Sequence, residues 1–142
     1  MVRQIIYILD YDWVCKVYYD ARPDDAQEIL DKMESIGCDK YDLLDAEYNL
    51  TSGLKNNGVT YSNFRERNSV MVIGQTSSAA EFQDTFDHEK NHLAKHITQA
   101  SGIDPLGEEA SYLSGAIGHQ MFVVARFFLC EHCRKSRGIG KD

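Results

Sequence analysis

The sequence predicts an α+β domain, with helices packed on a small, antiparallel-type sheet. Two observations carry this. Short β-branched and aromatic runs, "RQIIYIL" (3–9), "WVCKVYY" (13–19) and "SVMVIG" (69–74), read as strands. Longer stretches have apolar residues at helical spacing, with capping residues before them and glycine after them.

The first two strands are separated only by "DYD" (10–12) and read as a hairpin, so their pairing is antiparallel. In the second, Trp13, Cys15, Val17 and Tyr19 share one face. A helix follows in "RPDDAQEILDKMESIGC". Asp24 or Asp25 caps it, Ile29, Leu30, Met33 and Ile36 form its apolar stripe, and Gly37 stops it. "KYDLLDAEYNLTSGL" (40–54) holds a second, short helix. "KNNGVTYSNFRERN" (55–68) reads as a polar connector with turn chemistry at Asn57-Gly58. The strand at 69–74 ends at Gly74 and is read either as a core strand or as an edge that could pair with an extended peptide.

Thr76, Ser77 or Ser78 can cap the next helix, and Ser78 with Glu81 fits the capping box. This helix runs to about Ala100, where "GIDPLG" (102–107) breaks it. "EEASYLSGAIGHQMFVVARFFL" (108–129) is the last helix. No internal repeat or linker divides the chain, so residues 1–142 form one domain, with 128–142 as a loose basic tail.

The formal net charge of −7 argues against a nucleic-acid partner, because phosphate contacts need clustered Lys and Arg. The five aromatics Tyr7, Tyr11, Trp13, Tyr18 and Tyr19 therefore read as sheet core and rim rather than as a base-stacking surface. No apolar window approaches the length of a membrane span. The N-terminus lacks a secretory cleavage signal, and four scattered cysteines do not make a disulfide framework. The expected location is the reducing cytoplasm. Cys130 and Cys133 read as a thiol pair in the tail rather than as half of a structural zinc site, since neither Cys15 nor Cys38 completes a second pair.

The chemistry centres on "FDHEKNHLAKHI" (86–97). His88-Glu89-Lys90-Asn91-His92 is an H-E-x-x-H match on a predicted helix. Residues four apart stand one turn apart on one face, so His88 and His92 can share one zinc ion. Glu89, about 100° round the helix, can act as general base. The plain alternative is an exposed polar face. His96 is not the third ligand, because it stands about 12 Å along the axis from His88. The longer metzincin pattern also fails, with Lys95 at the glycine position and Thr98 where the third histidine would stand. Glu108 and Glu109 are the remaining candidates, 16 and 17 residues after His92. A turn at 102–107 would fold their helix back beside the first. Either carboxylate also compensates the helix dipole.

H-E-x-x-H on one helix with Glu on the next resembles the gluzincin type of zinc metallopeptidase. More closely, "SVMVIG…TFDHEKNHLAKHI…GEEASYLSG" resembles small zincin-like proteins of Bacteroides-type bacteria and their phages, over roughly residues 60–125. The resemblance implies a zincin-like domain, with the H-E-x-x-H helix packed beside a C-terminal Glu-bearing helix. It implies zinc as cofactor, with His88, His92 and Glu108 as ligands and Glu89 as base. Glu108 is preferred to Glu109 because it stands four before Tyr112. Tyr112 would then lie one turn on, able to steady an oxyanion. The chain departs from larger gluzincins in having Tyr112 where they carry an acidic residue, and only Tyr112 or His119 could stabilise a tetrahedral intermediate. The expected function is zinc-dependent hydrolysis of a peptide or protein substrate. The alternative is a non-catalytic zincin-like accessory protein with a structural metal.

Overall fold

The structure, a computed structural model, describes residues 1–140. Strands β1 (Val2–Ile8) and β2 (Trp13–Ala21) pair antiparallel as predicted, joined by a short 3-10 turn at Leu9–Tyr11. Helices α1 (Ala26–Ser35) and α2 (Lys40–Ser52) follow, then strands β3 (Gly58–Asn63) and β4 (Asn68–Gly74). The long helix α3 (Ala79–Ser101), α4 (Glu108–Ala125) and α5 (Glu131–Ser136) complete the order.

The α+β class is as expected, but the sheet is mixed rather than antiparallel throughout. Its order is β1-β2-β4-β3, and the central pair β2·β4 is parallel while both outer pairs are antiparallel. The parallel pair follows from the crossover through α1, α2 and β3, which returns the chain beside β2 in the same direction. β4 is therefore a central strand. Met71 and Ile73 pack on one side of it and Val70 and Val72 on the other, which explains its unbroken apolar run.

Helices cover both faces. α1 and α2 lie on one side, with Ile29, Met33, Ala46 and Leu50 against Tyr18, Val70 and Val72. α3 and α4 lie on the other, where Phe82, Leu93, Ile97, Leu113, Ile117 and Met121 pack on Cys15, Val17, Tyr19, Met71 and Ile73. The four residues Trp13, Cys15, Val17 and Tyr19 all face this second side, as their alternation predicts.

The stretch expected as a polar connector contains β3. Val59 and Tyr61 turn to the α1–α2 side, and buried Ser62 turns to the other, so the strand alternates with little apolar residue to announce it. The β3–β4 turn is tied by Asn63, whose side-chain oxygen accepts the N–H groups of Arg65 and Glu66.

The last helix is shorter than expected. It stops at Ala125, which lets Phe128 turn inward and stack on Phe82 and Tyr19, with centroids 4.9 and 5.8 Å away. The segment expected as a loose tail is anchored over its described part. Arg134 on α5 is buried, and its guanidinium donates to Thr76 Oγ1 at 3.0 Å, to the Thr76 carbonyl and to the Phe128 carbonyl. A buried Arg is stable only when its donors find partners, and these contacts occupy three of its five. Residues 141 and 142 of the expected tail lie outside the described residues.

Candidate active site on helix α3

Helix α3 starts as its sequence dictates. Ser78 is the N-cap, and its Oγ accepts the Glu81 N–H at 3.1 Å. Gly102 closes the helix in the left-handed conformation, φ +68°. The helix lies across β3 and β4, and its successive flanks have different neighbours.

On the solvent flank, His88 and His92 are exposed and point at one another. Their Nε2 atoms are 3.0 Å apart and the rings stand at 80°. Two imidazole nitrogens bound to one tetrahedral zinc would sit about 3.3 Å apart, given bonds of about 2.05 Å. The observed pair is at hydrogen-bond distance, about 0.3 Å closer than two positions on one ion, so a small opening of the two rings would admit the metal.

Glu89 is next round the helix and is only 3% exposed. Its carboxylate reaches under the sheet edge, where Thr60 Oγ1 on β3 donates to Oε1 at 2.9 Å. Burial pushes the Glu89 carboxyl above its ordinary pKa, while the Thr60 hydrogen bond and the two histidines pull it back. Gly58 makes this placement possible. A Cβ there would lie 2.8 Å from Glu89 Cγ and 2.5 Å from the Val72 carbonyl oxygen. A small cleft of about 100 Å³ opens at this point, lined by Asn56, Asn57, Gly58, Asp84, Thr85, His88 and Glu89.

His96 is also drawn toward β3. Its Nδ1 is 2.7 Å from Ser62 Oγ, which is 2.6 Å from Ser69 Oγ, which accepts the Trp13 indole N–H at 2.8 Å. Trp is a donor only, so Trp13 donates to Ser69, while the Ser69–Ser62 and Ser62–His96 bonds can run in either direction, as the hydroxyl rotors and the His96 tautomer allow. Burial pushes the His96 pKa down, and the neighbouring His92 adds to the effect.

Glu108 and Tyr112 stand elsewhere. α4 packs over β1 and against the flank of α3 that carries Lys90, Asn91, Ala94, Lys95 and Thr98. Ala94 is about 200° round the helix from His92. Glu108 is exposed in the first turn of α4, and neighbouring Glu109 accepts a hydrogen bond from Tyr11 Oη at 2.8 Å. Tyr112 is 74% exposed and lines a separate cleft with Ile8, Asp10, Tyr11 and Glu109. His119 is exposed on α4. Among the described residues, no set of three His, Cys, Asp or Glu side chains is gathered for a metal ion.

The structure thus groups His88, Glu89 and His92 and separates them from Glu108 and Tyr112. It adds Thr60 and Gly58, which the sequence reading left in a connector. The run Val59-Thr60-Tyr61, all residues favoured in strands, is the signal that could have found them. Among the described residues no helix is long and apolar enough to cross a membrane. Compared with protein-family models, curated proteins and solved structures, the chain finds no match.

Proposed function

We propose that the protein is a small zinc-dependent peptide hydrolase, with His88 and His92 as metal ligands and Glu89 as general base. One observation carries the reading: two converging Nε2 atoms 3.0 Å apart stand beside a buried carboxylate that Thr60 holds in place. Zinc bound there would supply Lewis acidity and make water a nucleophile near neutral pH. Glu89 takes the proton from the attacking water and returns it to the leaving amine. Its burial favours that role, because a raised pKa brings the carboxyl nearer the working pH. β3 is a sheet edge, paired with β4 on one side only, and an extended peptide could add to its other side next to Glu89.

A catalytic zinc takes three protein ligands. Glu108 is the third in this proposal, on the strength of the resemblance alone, and would require the first turn of α4 to move toward the pair. The place of Tyr112 in a separate cleft, away from any oxyanion at the histidines, favours a second reading, in which metal is bound by an accessory protein without turnover.

The test is metal content of protein purified without added metal, beside cleavage of a quenched-fluorescence peptide library. Hydrolase function predicts one zinc per chain in wild type and Glu89→Gln, none in His88→Ala, and cleavage by wild type alone. Loss of zinc in Glu108→Ala, with Glu109→Ala unaffected, supports the third ligand. Zinc without cleavage supports the second reading. No uptake of metal removes both.

A further inference from the structure

We infer that Cys130 and Cys133 form a redox-active dithiol, which closes to an intramolecular disulfide by exchange with small disulfides. The inference is independent of the metal reading. The two cysteines are half-buried, whereas Cys15 and Cys38 are buried in the two cores. Cys130 is the N-cap of α5 and Cys133 stands in its first turn, with the Cys133 N–H donating to Cys130 Sγ at 3.4 Å. A disulfide needs Cβ atoms about 3.5–4.5 Å apart, closer than the roughly 5–6 Å of residues three apart on a helix, and the extended N-cap backbone of Cys130 (φ −123°, ψ 120°), outside the helix proper, is where that approach can be made.

The turn that carries the pair is held firmly. Glu131 Oε1 accepts the Ala79 N–H at 2.5 Å, and Arg134 is locked onto Thr76. The guanidinium groups of Arg126 and Arg137 stack on the Phe127 ring, 4.5 and 3.5 Å from its centroid, and their charge only partly offsets the rise of the Cys133 thiol. The two sulfurs are also unequal. The Cys133 N–H and thiol hold the Cys130 thiol below its ordinary pKa, and Cys130 in turn raises Cys133. Cys130 Sγ, which accepts the Cys133 N–H, is the sulfur the turn holds better as thiolate, and it takes the attacking role with Cys133 as the resolving one.

The exchange balances with a disulfide such as oxidised glutathione as co-reactant. Cys130 thiolate attacks one sulfur, forms a mixed disulfide and expels one glutathione thiolate. Cys133 loses its proton, attacks Cys130 Sγ and expels the second. Two electrons pass to the external disulfide, and two thiols are released.

The test equilibrates full-length protein over a range of oxidised to reduced glutathione, then quenches in acid, alkylates and analyses the peptide spanning 130–133 by mass. Wild type is expected to lose two hydrogens in that peptide and to regain them in reduced glutathione, with Cys15 and Cys38 left as thiols. Cys133→Ser is expected to accumulate glutathione on Cys130. Cys130→Ser should react about tenfold more slowly at Cys133. A peptide that stays a dithiol at every ratio overturns the inference. So does a disulfide that recruits Cys15 or Cys38, or equal trapping rates in the two variants.

Discussion

The two inward flanks of α3 are built on different principles. The flank over the sheet centre is apolar: Phe82, Phe86, Leu93 and Ile97 pack in the core, and Phe82 stacks with Tyr19, Phe86 and Phe128. The flank over β3 is polar although largely buried. There Thr85 donates to the Asn56 carbonyl, Glu89 accepts from Thr60, and His96 meets Ser62. Apolar packing is non-directional, so the first flank sets how firmly the helix is held. A buried polar group is costly unless its partner is in place, so the second sets where each functional atom stands. The residues of the two flanks stand one to four apart in sequence.

Four substitutions or conditions would break or sharpen that contrast. Phe82→Ala removes the centre of the aromatic stack and should cost about 3–5 kcal/mol in urea denaturation. Gly58→Ala should cost about 1–3 kcal/mol, since the new Cβ meets both the Val72 carbonyl and Glu89. It should also displace the Glu89 carboxylate, which under the proposed hydrolase function would be visible as lost peptide cleavage at retained zinc. Thr60→Val should cost about 1–2 kcal/mol by removing the donor to Glu89, with Thr60→Ser restoring it. Equal stability of wild type and Thr60→Val would show that the polar flank carries no positional energy.

The smallest effect is on pH dependence. The His96 pKa is lowered in the fold below the ordinary value of about 6.5. As pH falls, the unfolded chain takes up that proton first. Stability is thus fully present above that ordinary value and is lost as pH falls from it toward the folded-state pKa. His96→Asn should flatten this slope in thermal melts taken across the mildly acidic range.

The same division separates what could be read early from what could not. The strands β1, β2 and β4 follow from β-branched and aromatic runs, α1 from its apolar stripe and α3 from its stripe and the Ser78 cap, all of which act within a few residues. So does the meeting of His88 and His92, because one helical turn brings residues four apart together whatever else the chain does. β3 escaped because its apolar content is low and it is stabilised chiefly by pairing with β4.

Local spacing, then, was enough to place two imidazoles and a carboxylate on neighbouring flanks of one helix. Packing settled the rest. The parallel placement of β4 beside β2, the position of β3 at the sheet edge, and the docking of α4 on the flank of Ala94 rather than beside His88 all depend on contacts far apart in the chain. The physical reason is one of range. A helix turn is specified by its own hydrogen bonds, whereas the angle at which one helix meets another depends on the shape of both surfaces and of the sheet beneath them.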